Sequence, residues 1–237
     1  MIVSRLSLAF LVVVLIGAAP KPADNARDPI NPSCPKLLNW STVPAMKFSV
    51  KTVDGTKIVM GEGGIDNSLL PRLAAILKSD PDITELWLRS PGGSAVVGNE
   101  AGRLIRKNYP DLITRIPKGW ACFSACNFLF MGGKMRIVEP EGQFVVHMFT
   151  HVADRAAVRA DIKDDADAAV DMIGDIEQSS ALLASDDNDF LIRMGVSRKL
   201  LTEVMYQQKA VSDGGKGSTR RCLTQDEVYK YNVANAR

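Results

Sequence analysis

Trp120-Ala121-Cys122-Phe123-Ser124-Ala125-Cys126 is the stretch whose reading decides the fold, taken together with Ser90-Pro91-Gly92-Gly93 before it and His147 after it. It places a serine on an elbow of small residues. The double glycine follows an apolar strand pattern, and the histidine ends another, Phe144-Val145-Val146. A serine hydroxyl is a poor nucleophile until a base takes its proton. Backbone N–H groups near a glycine turn and a helix start can face a developing oxyanion. Ser124, His147 and the N–H groups of Gly93 and Ala125 are therefore candidate nucleophile, base and oxyanion site. Each has a plainer explanation. Ser124 can be a helix cap, Gly92-Gly93 an ordinary turn, and His147 a satisfied core residue. His151 reads as a surface loop residue, and Lys134 as a base only if His147 is not one.

Outward from this stretch, strands and helices alternate, which implies an α/β fold with crossover connections. Lys47 to Lys51 and Thr56 to Met60 flank Asp54-Gly55, a hairpin signal. Leu70, Leu73, Ala74 and Leu77 recur at helical spacing, predicting a helix over 67–78 capped by Asp66 or Asn67. Ile83 to Leu88 is a strand. Ser94 caps a helix with Val97, Ala101, Leu104 and Ile105 on its apolar face. Strands follow at 113–116, 135–138 and 144–149. Beyond them a stripe of Ile162, Ala166, Ala169, Ile173, Ile176, Ser180 and Leu183 predicts one long helix with acidic residues filling its other face. It either lies on its own domain or projects to pack against a second copy. Ser197 to Gln208 reads as another helix, and Thr224-Gln225-Asp226-Glu227 as a capping box opening the last one.

The chain has 237 residues, 46% hydrophobic, with a formal charge of +2. That supports a real core and gives no argument for nucleic acid or an anionic surface. Residues 1–19 read as a signal peptide. Arg5 precedes an apolar run from Leu6 to Ile16 and the small residues Gly17-Ala18-Ala19. The run is shorter than the ~20 residues of an ordinary membrane span, so no stable span is expected after cleavage; an uncleaved anchor is the alternative, because Pro20 is a poor residue just after a cut at Ala19. Residues 20–45 read as a flexible mature N-terminus and 46–237 as one domain. Export, to the periplasm or outside, changes the meaning of Cys34, Cys122, Cys126 and Cys222. Four cysteines in an oxidising compartment allow three disulfide connectivities. Cys122 with Cys126 would stiffen the serine elbow, and Cys34 with Cys222 would tie down the N-terminus. Four buried thiols are the alternative, and no zinc pattern is complete.

At Ser-Pro-Gly-Gly, the Ser-Ala step and the strand-end histidine, the chain resembles the ClpP/crotonase-like superfamily. It is nearest the serine peptidase side, in exported relatives with a Cys-x-Ser-Ala-Cys segment. The resemblance runs from about Phe48 to Tyr231 and is sharp from Ile83 to Met148. It implies a spiral of β-β-α units with a long inter-subunit helix after the histidine strand. It implies Ser124 as nucleophile, His147 as base and Gly93/Ala125 as oxyanion site. It further implies a peptide or protein substrate, no cofactor and no metal, and self-association through residues 154–185. The chain departs from the family where the histidine-orienting aspartate is expected. Arg220 stands there, before Leu223-Thr224-Gln225-Asp226-Glu227. Asp213, on a loop made pliable by Gly214 and Gly215, is the nearest upstream acid and the candidate third residue; a backbone carbonyl is the other substitute. Arg89 is also unlike the neutral polar residue expected before Ser90. Two other functions stay open: a catalytically decayed scaffold used for binding or assembly, and an acyl-CoA enzyme, which export argues against.

Overall fold

The computed structural model describes residues 27–148, 159–160, 163, 166–210 and 219–237. The signal segment, His151, Asp213 and the start of the long acidic segment, Ile162 included, lie outside the described residues.

The fold is mixed α/β. Its elements are β1 (Lys47–Val53), β2 (Thr56–Glu62), α1 (Leu69–Ser79), β3 (Glu85–Arg89), α2 (Ala95–Asn108), β4 (Ile113–Ile116), β5 (Ala121–Phe123) and α3 (Cys126–Met131). They continue with β6 (Met135–Val138), β7 (Gln143–His147), α4 (Ala166–Met194), β8 (Arg220–Cys222) and α5 (Gln225–Lys230). Five strands form one sheet in the order β1-β2-β3-β4-β6, and three form another in the order β5-β7-β8. β1 and β2 are the antiparallel hairpin, with Asp54 and Gly55 at positive φ in its turn. From β2 to β6 every pairing in the large sheet is parallel. β4 and β5 are consecutive, as are β6 and β7. The first strand of each pair joins the large sheet, and the second joins the small one. A bridge between Ser90 and Cys122 ties the sheets together at the end of β3.

Amphipathic spacing explains which faces are buried. α1 buries Leu69, Leu73 and Leu77, and α2 buries Val97, Ala101 and Ile105. Leu86 and Leu88 of β3 and all of α3 complete the layer between the sheets and helices. Each fully buried leucine contributes about 2 kcal/mol. Ser94 caps α2 as expected, accepting from the Val97 N–H. α1 differs from expectation. Its N-cap is Ser68, without a cap bond, because the Asp66 carboxylate instead accepts from the Ser68 N–H and from Arg72. The helix expected over 197–208 is a π-helical turn, Leu200–Val204, followed by a 3₁₀ turn, Met205–Gln207.

Two arginines fix the ends of the helices. Arg136 is buried and donates to the carbonyls of Gly133, Asn232 and Val233. Arg106 donates to those of Met131, Gly132 and Gly133. Orphan carbonyls at helix ends are thereby satisfied.

From Arg27 on, the segment expected to be a flexible N-terminus is tied to the body. Asp28 N–H donates to the Cys34 carbonyl, and Cys34 is disulfide-bonded to Cys222 of β8. Ser33 Oγ accepts from the Cys222 N–H, and Asp28 pairs with Arg220 at 2.8 Å. Hydrogen bonds from Asn31, the Ile30 N–H and Arg220 hold the Asp28 carboxyl down at about 2.

α4 has two halves. Toward its C-terminus Asp187, Phe190, Leu191 and Met194 are buried in the body. Earlier in the helix Val170, Ile173 and Leu182 are exposed, Ile173 at 57%. No helix among the described residues is long and apolar enough to cross a membrane.

Candidate active site

Ser124 sits between β5 and α3 with φ of +58°. A non-glycine residue in that region is uncommon, and at a strand-to-helix elbow it lifts the side chain clear of both elements. Ser124 is not the helix cap. The N-cap of α3 is Ala125, with no side-chain cap bond. The Ser124 hydroxyl lies 2.7 Å from Nε2 of His147 instead. The cap explanation of this serine gives way to that contact.

The direction of proton donation follows from the other side of the ring. His147 Nδ1 lies 2.7 Å from the carbonyl oxygen of Met148. A carbonyl only accepts, so Nδ1 carries the proton. In the neutral ring Nε2 is then a lone pair, and Ser124 Oγ–H donates to it. Burial pushes the imidazole below its ordinary value of 6.5, partly offset by the Met148 bond. The ring is therefore neutral at neutral pH and able to accept a proton. Phe123 stacks on Trp40 and meets the imidazole at a tilt of 45°, with ring centroids 4.8 Å apart.

Arg220 is paired in register with His147 across the β7–β8 ladder. Its guanidinium reaches back to Asp28. Among the described residues no carboxylate bonds to His147, and the Met148 carbonyl orients it. Arg89 is accounted for by Glu62 at 3.0 Å, Asn39 at 2.6 Å and the face of Trp120. Lys134 is outside the pocket described below.

The glycine turn abuts the elbow. Gly92 and Gly93 have φ of +84° and +147°. A Cβ on Gly92 would fall 2.7 Å from Ser124 Cβ and 2.9 Å from Ala125 N; one on Gly93 would fall 2.1 Å from Ile65 O. Only glycine fits either place. Among the described residues neither the Gly93 nor the Ala125 N–H is donated to a protein acceptor, which leaves both available to an oxyanion. Gly93→Ala is expected to displace the turn and to lower any Ser124-dependent turnover by about 10²-fold or more. Unchanged kinetics in a folded Gly93→Ala protein would remove this glycine from the site.

Cys122 is bonded to Cys126. The bridge runs from the middle of β5 to the first residue of α3 and so spans the elbow. The strain expected for an i,i+4 bridge inside a regular helix does not arise, because the chain turns between the two residues.

Beside Ser124 and His147 lies an apolar pocket walled by Phe128, Met131, Leu183, Leu191, Leu200, Leu201 and Met205. Asn127 and Asp187 also line it. Burial and the neighbouring Asp186 push the Asp187 carboxyl up to about 7. Neither residue is legible as a site residue in the motif pattern. One signal does reach Asp187: the step pattern Ile176, Ser180, Leu183 continues to residue 187, putting an acid on the apolar stripe. Among the described residues no cluster of His, Cys, Asp and Glu could hold a metal ion.

No protein-family model matches the chain, and no curated protein matches it.

Proposed function

We propose that this protein is an exported serine hydrolase of ClpP-like architecture, acting on peptide bonds or related acyl substrates. The observation that carries the reading is the 2.7 Å contact between Ser124 Oγ and His147 Nε2 at a positive-φ elbow. The two-sheet pattern, in which successive β-β pairs each add one strand to either sheet, supports the spiral architecture. The two disulfides support export.

The chemistry follows from the atoms. Ser124 Oγ attacks the acyl carbon while its proton passes to His147 Nε2. The carbonyl oxygen becomes an oxyanion facing the N–H groups of Gly93 and Ala125. His147 returns the proton to the leaving amine as the C–N bond breaks. Water, deprotonated by the same Nε2, then releases the acyl group from Ser124. Among the described residues the imidazolium formed on the way is stabilised by the Met148 carbonyl dipole and by no carboxylate, so a slow enzyme is expected. That no carboxylate among the described residues bonds to His147 is also what favours the second reading, a scaffold without activity. A fluorophosphonate probe on the oxidised protein separates them: Ser124 is labelled in an enzyme and unlabelled in a scaffold.

His147 gives the pH dependence its sign. Activity requires the neutral ring and falls as pH drops through the folded-state pKa. Because that value is lowered, the acid limb should lie below 6.5. A limb above 6.5 for a neutral ester substrate would contradict the assigned base.

Self-association through α4 belongs to the same proposal. Val170, Ile173 and Leu182 are exposed on it, and a second copy would bury them. Ile173→Lys with Ile176→Lys should give a smaller species by light scattering. A parent that is monomeric at high concentration would refute it.

A further inference from the structure

The pocket beside Ser124 holds a carboxylate for which the proposed acyl transfer has no use. Asp187 is 2% exposed, and its Oδ1 has no hydrogen-bond partner. It is not the only such group. Asn127 lines the same pocket and is buried with its Oδ1 unpartnered. The amide cannot be turned round to cure this, because its Nδ2 donates to the Val145 carbonyl at 2.8 Å. The Tyr206 hydroxyl is also buried without a partner; burial, and then the charge of Asp187, raises its pKa.

Buried acceptors are normally satisfied. Leaving them unpaired is costly, and the folded chain gains nothing from these two. Ligand pockets are the common place for such groups: mostly apolar, with a few converging polar atoms. Here Phe128, Met131, Leu183, Leu191 and Met205 form the apolar wall. The complementary occupant has an apolar stem and a donor-rich, cationic head. An alkyl ammonium supplies three donors on a straight stem. A carbonyl or carboxylate head would add acceptors to acceptors, and a hydroxyl brings a single donor and no charge.

We propose that Asp187, assisted by Asn127, selects a lysine-type side chain on the acyl side of the scissile bond. The acyl side is assigned because Ser124, Ala125 and Asn127 of the elbow themselves form part of the wall. The assignment of a scissile bond rests on the hydrolase reading above; the pocket's preference for an ammonium does not. An ammonium at hydrogen-bond distance would also hold Asp187 ionised across the range in which its carboxyl titrates when alone.

The test is equilibrium binding to oxidised Ser124→Ala protein at pH 8. The probes are fluorescent tripeptides ending in lysine or in norleucine, which keeps the stem and lacks the ammonium. Lysine should bind on the order of 10- to 100-fold more tightly than norleucine. The ratio should fall to about one in Ser124→Ala/Asp187→Asn, whose near-isosteric amide removes the charge. Circular dichroism confirms that this variant is folded. Norleucine binding as well as lysine, no measurable lysine binding, or a lysine preference that survives Asp187→Asn would each overturn the proposal. Fluorophosphonate labelling of the parent protein is run beside it. Lysine preference without labelling upholds the pocket and sinks the hydrolase; labelling without lysine preference does the reverse.

Discussion

Ser124→Ala is expected to abolish fluorophosphonate labelling and to cut hydrolytic turnover by about 10⁴-fold or more, the usual consequence of losing a nucleophile. The fold should survive. Ser124 makes no cap bond in α3, so the roughly 1 kcal/mol lost with a true N-cap is not at stake. What is lost is one hydrogen bond to His147. Ser124→Gly provides the control for the backbone. It relieves the φ of +58° and removes the hydroxyl, so it should be as inactive as Ser124→Ala and at least as stable. His147→Ala should fall with them, since a serine without its base is no better than bulk alcohol. Turnover persisting in folded Ser124→Ala would assign any activity to another group and leave the elbow as architecture.

The parts of the site that were legible from sequence are those with local signatures. Ser-Pro-Gly-Gly announces a turn because only glycine tolerates those angles, and Phe144-Val145-Val146-His147 announces a strand end. Ser94 and the Thr224–Glu227 box could be read as caps because capping is settled within four residues, and both are made. What escaped depends on contacts far apart in sequence. β8 is three residues, Arg220–Cys222, without alternation. It is a strand only because β7 and the Cys34 segment lie beside it. Met148 as the partner of Nδ1 is a backbone carbonyl, which no side-chain pattern reports. Asp187 sits in a run of acids where a solvated face is the ordinary reading; its burial follows from where α4 enters the body. The candidate third residue, Asp213, lies outside the described residues. The part played by Arg220 is a matter of partner choice, decided by Asp28 almost the whole chain away.

That long-range staple carries the second large effect. Cys34 and Cys222 are separated by 188 residues, and closing so long a loop restricts the unfolded chain by about 5 kcal/mol on the chain-entropy account. Both sulfurs are buried, so Cys34→Ala/Cys222→Ala is the cleaner probe than serine, which would bury two hydroxyls. For a chain of this size the loss corresponds to a fall in Tm of about 10–20 °C. The consequence should not stop at stability. β8 is the edge partner of β7, with Val145 opposite Cys222 and His147 opposite Arg220. Asp28, Ser33 and Cys34 hold β8 from its other side. Freed from the staple, β8 keeps its three-residue ladder, the Asp28 pair and the Ser33 bond, and the strand that aims His147 at Ser124 loses its covalent brace. Labelling of Ser124 should therefore slow in this variant even well below its Tm. Cys122→Ala/Cys126→Ala is the contrast. Its loop closes only four residues on, so the entropic share is smaller, about 2 kcal/mol, while the elbow itself is loosened. The two variants should thus differ in opposite senses: the first worse in Tm, the second worse in labelling rate relative to its Tm. A Cys34→Ala/Cys222→Ala protein that melts with the parent and labels at the parent's rate would show that the N-terminal segment supports neither the sheet nor the histidine.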